Sequence, residues 1–273
     1  MVFKPKKQSL YILFLLLIGV VCLMLFISKC SHGLPAPPFV SDRYVKSGGD
    51  TLDVAIEISP LSYRMTGDSV AGLDYEIMNL MAERLGRPVR YHVFSSLKNA
   101  VTGLEAGIYD IVISSLPSTE SLKNRFRLSE PLYLDYEVLV QKKESSTLKT
   151  TPQELADDTV WIADGSPVIE RIQNLSQEIG ETIHVATLTG CTSEHLIMLV
   201  ANGSVPRAVV NKGLAVRMHD EFYPELDITT PISFTRFQSW IVSERDPAFA
   251  DRLDSCLIEF KATDDYQRLL QRY

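Results

Sequence analysis

The run Ser114-Ser115-Leu116-Pro117-Ser118-Thr119 sets four hydroxyls within six residues, directly after an apolar stretch that reads as a buried strand. Hydroxyls at a strand-to-helix corner, with the free N–H groups of the helix start, suit hydrogen bonding to a polar molecule and do no covalent work alone. Thr119 also has the type and position of a helix N-cap. Glu57 and Tyr63 flank a second loop that contains Leu61; a carboxylate there reaches an amine, and a tyrosine ring stacks on a flat group. Gly165 and Ser166 open a later helix, and Asn211 closes a buried strand ahead of another. Glu57 could serve as a general acid or base, but no His or second acid stands near it in sequence to activate it. His184, His195 and His219 lack the spacing of a metal site, so neither a metal nor another cofactor is implied.

These residues need a frame, and the chain supplies one by alternation. "LDVAIEI" reads as a strand, Leu73, Ile77, Leu80, Met81 and Leu85 recur at helical spacing, and "VRYHVF" is the next strand. A helix capped at Ser95 or Ser96 with Leu97, Val101 and Leu104 on its apolar face leads to the strand "DIVIS". After a long extended segment, "PLYLDYEVLVQKK", the rhythm restarts with "TVWIADG", a helix over 167–179, "IHVATL", a helix over 193–201, "RAVV" and a helix over 213–222. A second extended stretch, "FTRFQSWIVSE", precedes two closing helices. Strands separated by helices make parallel sheets with right-handed crossovers. Two such units joined by two extended crossings predict an α/β protein of two lobes on a two-stranded hinge. Ligands of open α/β sheets bind beyond the carboxyl ends of the strands, where all the loops named above lie.

The 273 residues, 45% hydrophobic, are enough for a sizeable core. Lys4, Lys6 and Lys7 precede an uncharged apolar run long enough to span a bilayer, so residues 1–9 are expected in the cytoplasm and 10–29 as a membrane anchor or signal segment. Cys30, in "FISKC", is a candidate for lipidation, although Lys29 stands where a small residue is usual. Residues 30–50 are rich in Pro, Gly and Ser and read as a linker, followed by lobe one over 51–135, lobe two over 136–238 and a return to lobe one over 239–273. The bulk of the chain is thus expected outside the inner membrane. Without the four lysines of residues 1–29 it carries 23 basic against 34 acidic residues, a net charge of −11 that argues against nucleic acid as a partner. Cys191 and Cys256 are expected to be small buried apolar residues.

The order of "SPLSY", "GLDYEIMNLMAERLG", "GLEAGIYDIVISSLPST", "LSEPLY", "DGS" and "FKATDDYQRLLQRY" resembles the family-3 bacterial extracellular solute-binding proteins, which have the type II periplasmic binding fold. "SPLSYRMTGDSVAGLDYE" and "YPELDIT" look most similar to the non-catalytic amino-terminal domain of membrane-bound lytic transglycosylase F. The resemblance implies a small polar ligand held between the lobes, no enzymatic step, and an ABC-type permease or a cell-wall enzyme as partner. It also implies an arginine three residues after the helix-opening Ser/Thr and an aspartate at the end of "RAVV", to clamp an amino acid's two charges. This chain has Leu122 and Asn211 at those places, and Leu61 where an aromatic platform is usual. On that pattern Glu57, Leu61, Tyr63, Ser114, Ser115, Leu116, Thr119, Gly165, Ser166 and Asn211 are the expected ligand contacts. The loop then suits a neutral polar molecule or a small anion better than a zwitterion.

Overall fold

A computed structural model describes residues 50–273, apart from Asp68 and the side chain of Thr66. The expected membrane segment over 10–29, most of the linker and Cys30 lie outside the described residues. Among the described residues no helix is long and apolar enough to cross a membrane.

The first sheet has the order β4-β1-β5-β13-β6, with β7 also paired to β13. Its strands are β1 (Leu52–Glu57), β4 (Val89–Phe94), β5 (Ile111–Pro117), β6 (Arg127–Leu128), β7 (Tyr133–Asp135) and β13 (Arg236–Val242). β1 is the inner parallel strand, and its side chains alternate: Leu52, Val54 and Ile56 join one core with Ile77, Met81, Trp240 and Phe249, while Ala55 joins another with Leu104, Val112 and Leu116. A sheet covered on both faces needs this nearly continuous apolar run. The covering helices are α1 (Leu73–Leu85), α2 (Leu97–Glu105), the short α3 (Glu120–Arg125), and α7 (Pro247–Lys261) with α8 (Asp264–Arg272) at the end of the chain.

The second sheet repeats the plan in the order β10-β9-β11-β8-β12. It comprises β8 (Glu137–Lys142), β9 (Thr159–Ala163), β10 (His184–Leu188), β11 (Arg207–Asn211) and β12 (Leu226–Asp227), with α4 (Val168–Ile179), α5 (Ser193–Ala201) and α6 (Lys212–Glu221) packed on it. Here too the faces alternate, Val138, Val140, Ala208 and Val210 on one side and Leu139 and Val209 on the other.

Neither sheet is purely parallel. β13 runs antiparallel to β5, and β8 antiparallel to β11, because each is a crossing strand that enters its sheet from the opposite lobe. The extended segment "PLYLDYEVLVQKK" is accordingly two strands: β7 pairs with β13 in the first sheet, and after Tyr136 the chain continues as β8 in the second. The return crossing leaves the second sheet after Pro231, bridged to Val138, and joins the first at Arg236, opposite Asp135. Between the crossings the fully buried Glu137 accepts from Arg236 Nη2 at 2.7 Å, and its backbone N–H donates to Ser233 Oγ at 2.9 Å.

One small element has no counterpart in the periodicity of the sequence, the hairpin of β2 (Arg64–Thr66) and β3 (Ser69–Ala71). It brings α1 back beneath the loop after β1. There Leu73 N donates to the Leu61 carbonyl at 2.6 Å, and Gly72 passes so close to Ser62 that a Cβ would lie 2.1 Å from its carbonyl oxygen. With φ at +145° as well, that position accepts only glycine.

Candidate functional site: the cleft between the lobes

The carboxyl ends of β1 and β5 in one lobe face those of β9 and β11 in the other across a cavity of about 30 Å³. Six of the ten residues singled out by sequence line it: Glu57, Ser114, Ser115 and Leu116 from the first lobe, Ser166 and Asn211 from the second. They stand on the carboxyl-side part of a strand or in the turn that leads to the following helix, the region an α/β sheet reserves for a ligand. Asp164, Cys191, Thr192 and Ser193 complete the second wall and were not foreseen, because they sit in loops whose register the hydrophobic period does not fix. A volume of about 30 Å³ admits a water molecule or two. Any larger molecule enters only when the lobes part.

The other four sit elsewhere. Leu61, expected as the counterpart of an aromatic platform, is 4% exposed and belongs to the core of the first lobe. It faces away from the cleft, towards a separate cavity of about 530 Å³ beside the hinge, where it meets Gly213 at the start of α6. A Cβ on Gly213 would approach Leu61 Cδ2 and Asp135 Oδ2 to 3.2 Å each. Tyr63 is buried in a three-ring cluster with Tyr75, edge-on at 5.4 Å, and Tyr91 at 5.8 Å. Thr119 caps α3, its Oγ1 accepting from Leu122 N at 3.2 Å. Gly165 lies beside Lys98 at the rim, without reaching the cavity.

The register around α3 places Leu122 against the apolar cluster of Leu116 and Phe126. Arg125, one turn on, points outward to Glu105 at 3.0 Å and does not take the place of a clamp. The expectation of a small anion meets a physical objection here: the charged residues lining the cavity are Glu57 and Asp164, both acidic.

Glu57 accepts a short hydrogen bond from Ser114 Oγ. Burial pushes its pKa up to about 7 despite that bond, and the nearby carboxylates of Asp74 and Glu194 add to the rise. Glu194 stands in the first turn of α5, across the cleft, and burial raises its own pKa as well. Behind Glu57, Asp74 is buried and accepts from Trp240 Nε1 at 3.0 Å, with its pKa raised by burial. Tyr133 Oη lies 3.3 Å from Ser115 Oγ, which ties β7 of the hinge to the cavity wall. His195 serves the cap of α5, accepting from Thr192 N at 3.4 Å, and Cys191 and Cys256 are free thiols, half-buried rather than buried as expected.

Two mixed α/β lobes, crossed twice by the chain and enclosing a strand-end cavity, define a two-lobed binding protein. The family model for bacterial extracellular solute-binding proteins, family 3, matches residues 52–273, and the chain belongs to that family. A mutant of ArgBP from T. maritima superimposes with a TM-score of 0.71 at 21% identity, covering 82% of this chain and 95% of that one. The substrate binding protein of an amino acid ABC transporter does so with the same score at 20% identity, over 82% and 98% of the two chains. A membrane-bound lytic murein transglycosylase F of Shewanella sediminis is 24% identical over 210 residues, 77% of this chain and 42% of that protein. The chain thus spans about two fifths of that relative's length.

Proposed function

We propose that this chain is an extracytoplasmic solute-binding protein, held at the membrane by its first thirty residues, that closes on a small polar molecule for ABC-type transport or for sensing. The observation that carries this reading is the cavity itself, walled by Glu57, Ser114 and Ser115 of one lobe and Ser166 and Asn211 of the other. A molecule that touches both walls favours the closed arrangement by the difference in its affinity for the closed and open forms. The hinge suits such motion, because among the described residues two segments cross between sheets that each have a core of their own. Nothing in the mechanism calls for a covalent step.

The test is thermal denaturation of the full chain in detergent against amino acids, amines, sugars, small carboxylates and peptidoglycan fragments. A cognate compound at a hundred times its Kd stabilises by about 2.7 kcal/mol. A flat response to every class would refute the reading.

The likeness to the transglycosylase supports a second reading, a non-catalytic regulator or scaffold of peptidoglycan metabolism. Capture from solubilised membranes separates the two. A permease among the partners favours transport, and a wall hydrolase or synthase favours the alternative.

A further inference from the structure

Some buried or partly buried acids elsewhere in this molecule have counter-ions, while Asp74 has the Trp240 indole and Asp135 the amides of Tyr136 and Gly213. Glu137 has Arg236 at 2.7 Å, Glu130 has Lys261 at 2.7 Å, and Asp158 has Arg207 in direct contact and Lys149 at 3.4 Å. The cleft brings three acids together without a counter-ion: among the described residues Glu57, Asp164 and Glu194 form no ion pair. The lysines nearby do not fill the gap. Lys98 is exposed at the rim, and Lys212, next to Asn211 in sequence, donates to the Ile228 carbonyl at 2.9 Å within its own lobe.

A second acceptor faces the same space. Asn211 lines the cavity, is 7% exposed, and makes a single long side-chain contact, Nδ2 to Gln238 Oε1 at 3.5 Å. The Gln238 amide is oriented by its own Nε2, which donates to the Arg236 carbonyl at 3.3 Å, so Oε1 is the acceptor and Asn211 Nδ2 the donor. Asn211 Oδ1 therefore has no donor among the described residues, on a residue that lines the cavity. An acceptor that closure leaves unmatched is a cost, and a carboxylate enclosed without a counter-charge is a larger one.

The start of α5 opens on the cavity through Ser193, and that of α4 through Ser166 and Val168. Their dipoles favour negative charge only weakly, and acids of their own first turns, Glu194 and Glu170, already lie there. That is less than the need of the uncompensated carboxylate, so the balance of the cleft is towards a cation with N–H donors.

We propose that the cleft selects a small organic cation, a primary amine or a guanidine that bears no carboxylate, whose charge pairs with Glu57 and whose N–H groups satisfy Asn211 Oδ1. The proposal rests on the solute-binding reading above and narrows its ligand. It also explains closure: bringing the two acid-bearing walls together is opposed by like charge until a cation enters between them.

The experiment compares matched pairs on the full chain in detergent at pH 8 by calorimetry: agmatine against arginine and cadaverine against lysine, with glycine, succinate and a neutral disaccharide beside them. Each decarboxylated amine is expected to bind at least tenfold more tightly than its amino acid. Glu57→Gln is expected to weaken the amine at least tenfold, and Asn211→Leu to weaken it severalfold. Equal or tighter binding of the amino acid overturns the proposal, as does an unchanged amine affinity in Glu57→Gln. Binding of succinate or the disaccharide alone overturns it too, while leaving the solute-binding reading in place. Silence from every compound here and in the broader screen removes both. Should Glu57→Gln not fold, the matched pairs and Asn211→Leu decide the question.

Discussion

Glu57 and Glu137 stand at ends of strands in the two sheets and meet burial in opposite ways. Glu137, in the hinge, is fully enclosed and has the guanidinium of Arg236 2.7 Å away. Glu57, in the cleft, has the hydroxyl of Ser114 and two further carboxylates for company, and burial pushes its pKa up to about 7. The difference separates an acid that belongs to the architecture from one left incomplete. At the hinge the buried charge of Glu137 is met within the chain; in the cleft, on the proposal above, the neutralising group is left to the solute.

The largest effect expected from breaking this comparison is at the hinge. Glu137→Ala strands Arg236 and should cost about 3–5 kcal/mol in denaturant unfolding. A loss below about 1 kcal/mol would put the pair in the class of exposed bridges and remove the contrast. Glu57→Gln should act with the opposite sign in the ligand-free protein. The folded pKa of Glu57 lies above its ordinary value of 4.5, so the stability linked to its protonated form is complete below about 4.5 and is lost as pH rises through about 7. The variant escapes that loss and should gain on the order of 2 kcal/mol at pH 8 and almost nothing at pH 4. A fall in its stability at pH 8 would show that Glu57 is paired after all.

Ser114→Ala sharpens the same point. Removing a donor to a charged acceptor should cost about 1.5 kcal/mol at pH 8, should cost less at pH 4, and should move the midpoint of the stability profile upward. Thr119→Ala is the control. Losing the cap of α3 should cost about 1 kcal/mol, with the same value at both pH extremes and no change in ligand affinity.

The frame of the molecule was legible because its cores alternate cleanly. Leu52, Val54 and Ile56 give β1 away, Ser96 and Thr119 cap the helices their positions suggest, and "SEHLIMLVA" forms α5 over the expected 193–201. The lobe boundary read between 135 and 136 falls where the extended run changes sheets, although strand character alone does not mark it. Tyr133–Asp135 and Glu137–Lys142 have the same strand character, and only the pairing partners, distant in sequence, set the break at Tyr136. The hairpin of β2 and β3 was missed because three residues on each side are too few for a period.

The site was read in part for a similar reason. Strand ends such as Ser114 and Asn211 follow from the strands that carry them, and they line the cavity. Leu61 and Tyr63 are displaced from it by the tight turn at Gly72, whose close approach to Ser62 is a matter of backbone contact that residue types do not announce. Asp164 and Glu194 gain their meaning only from the opposite lobe, and Glu194 lies 137 residues beyond Glu57 in the chain.

The seat of Leu61 on the bare backbone of Gly213 leaves the two halves with a shared bumper. A single methyl group at 213 would work as a shim in that seam. It would keep the jaws slightly ajar without touching any atom that grips the guest, and so give a molecule whose ability to shut is altered while its palate is not.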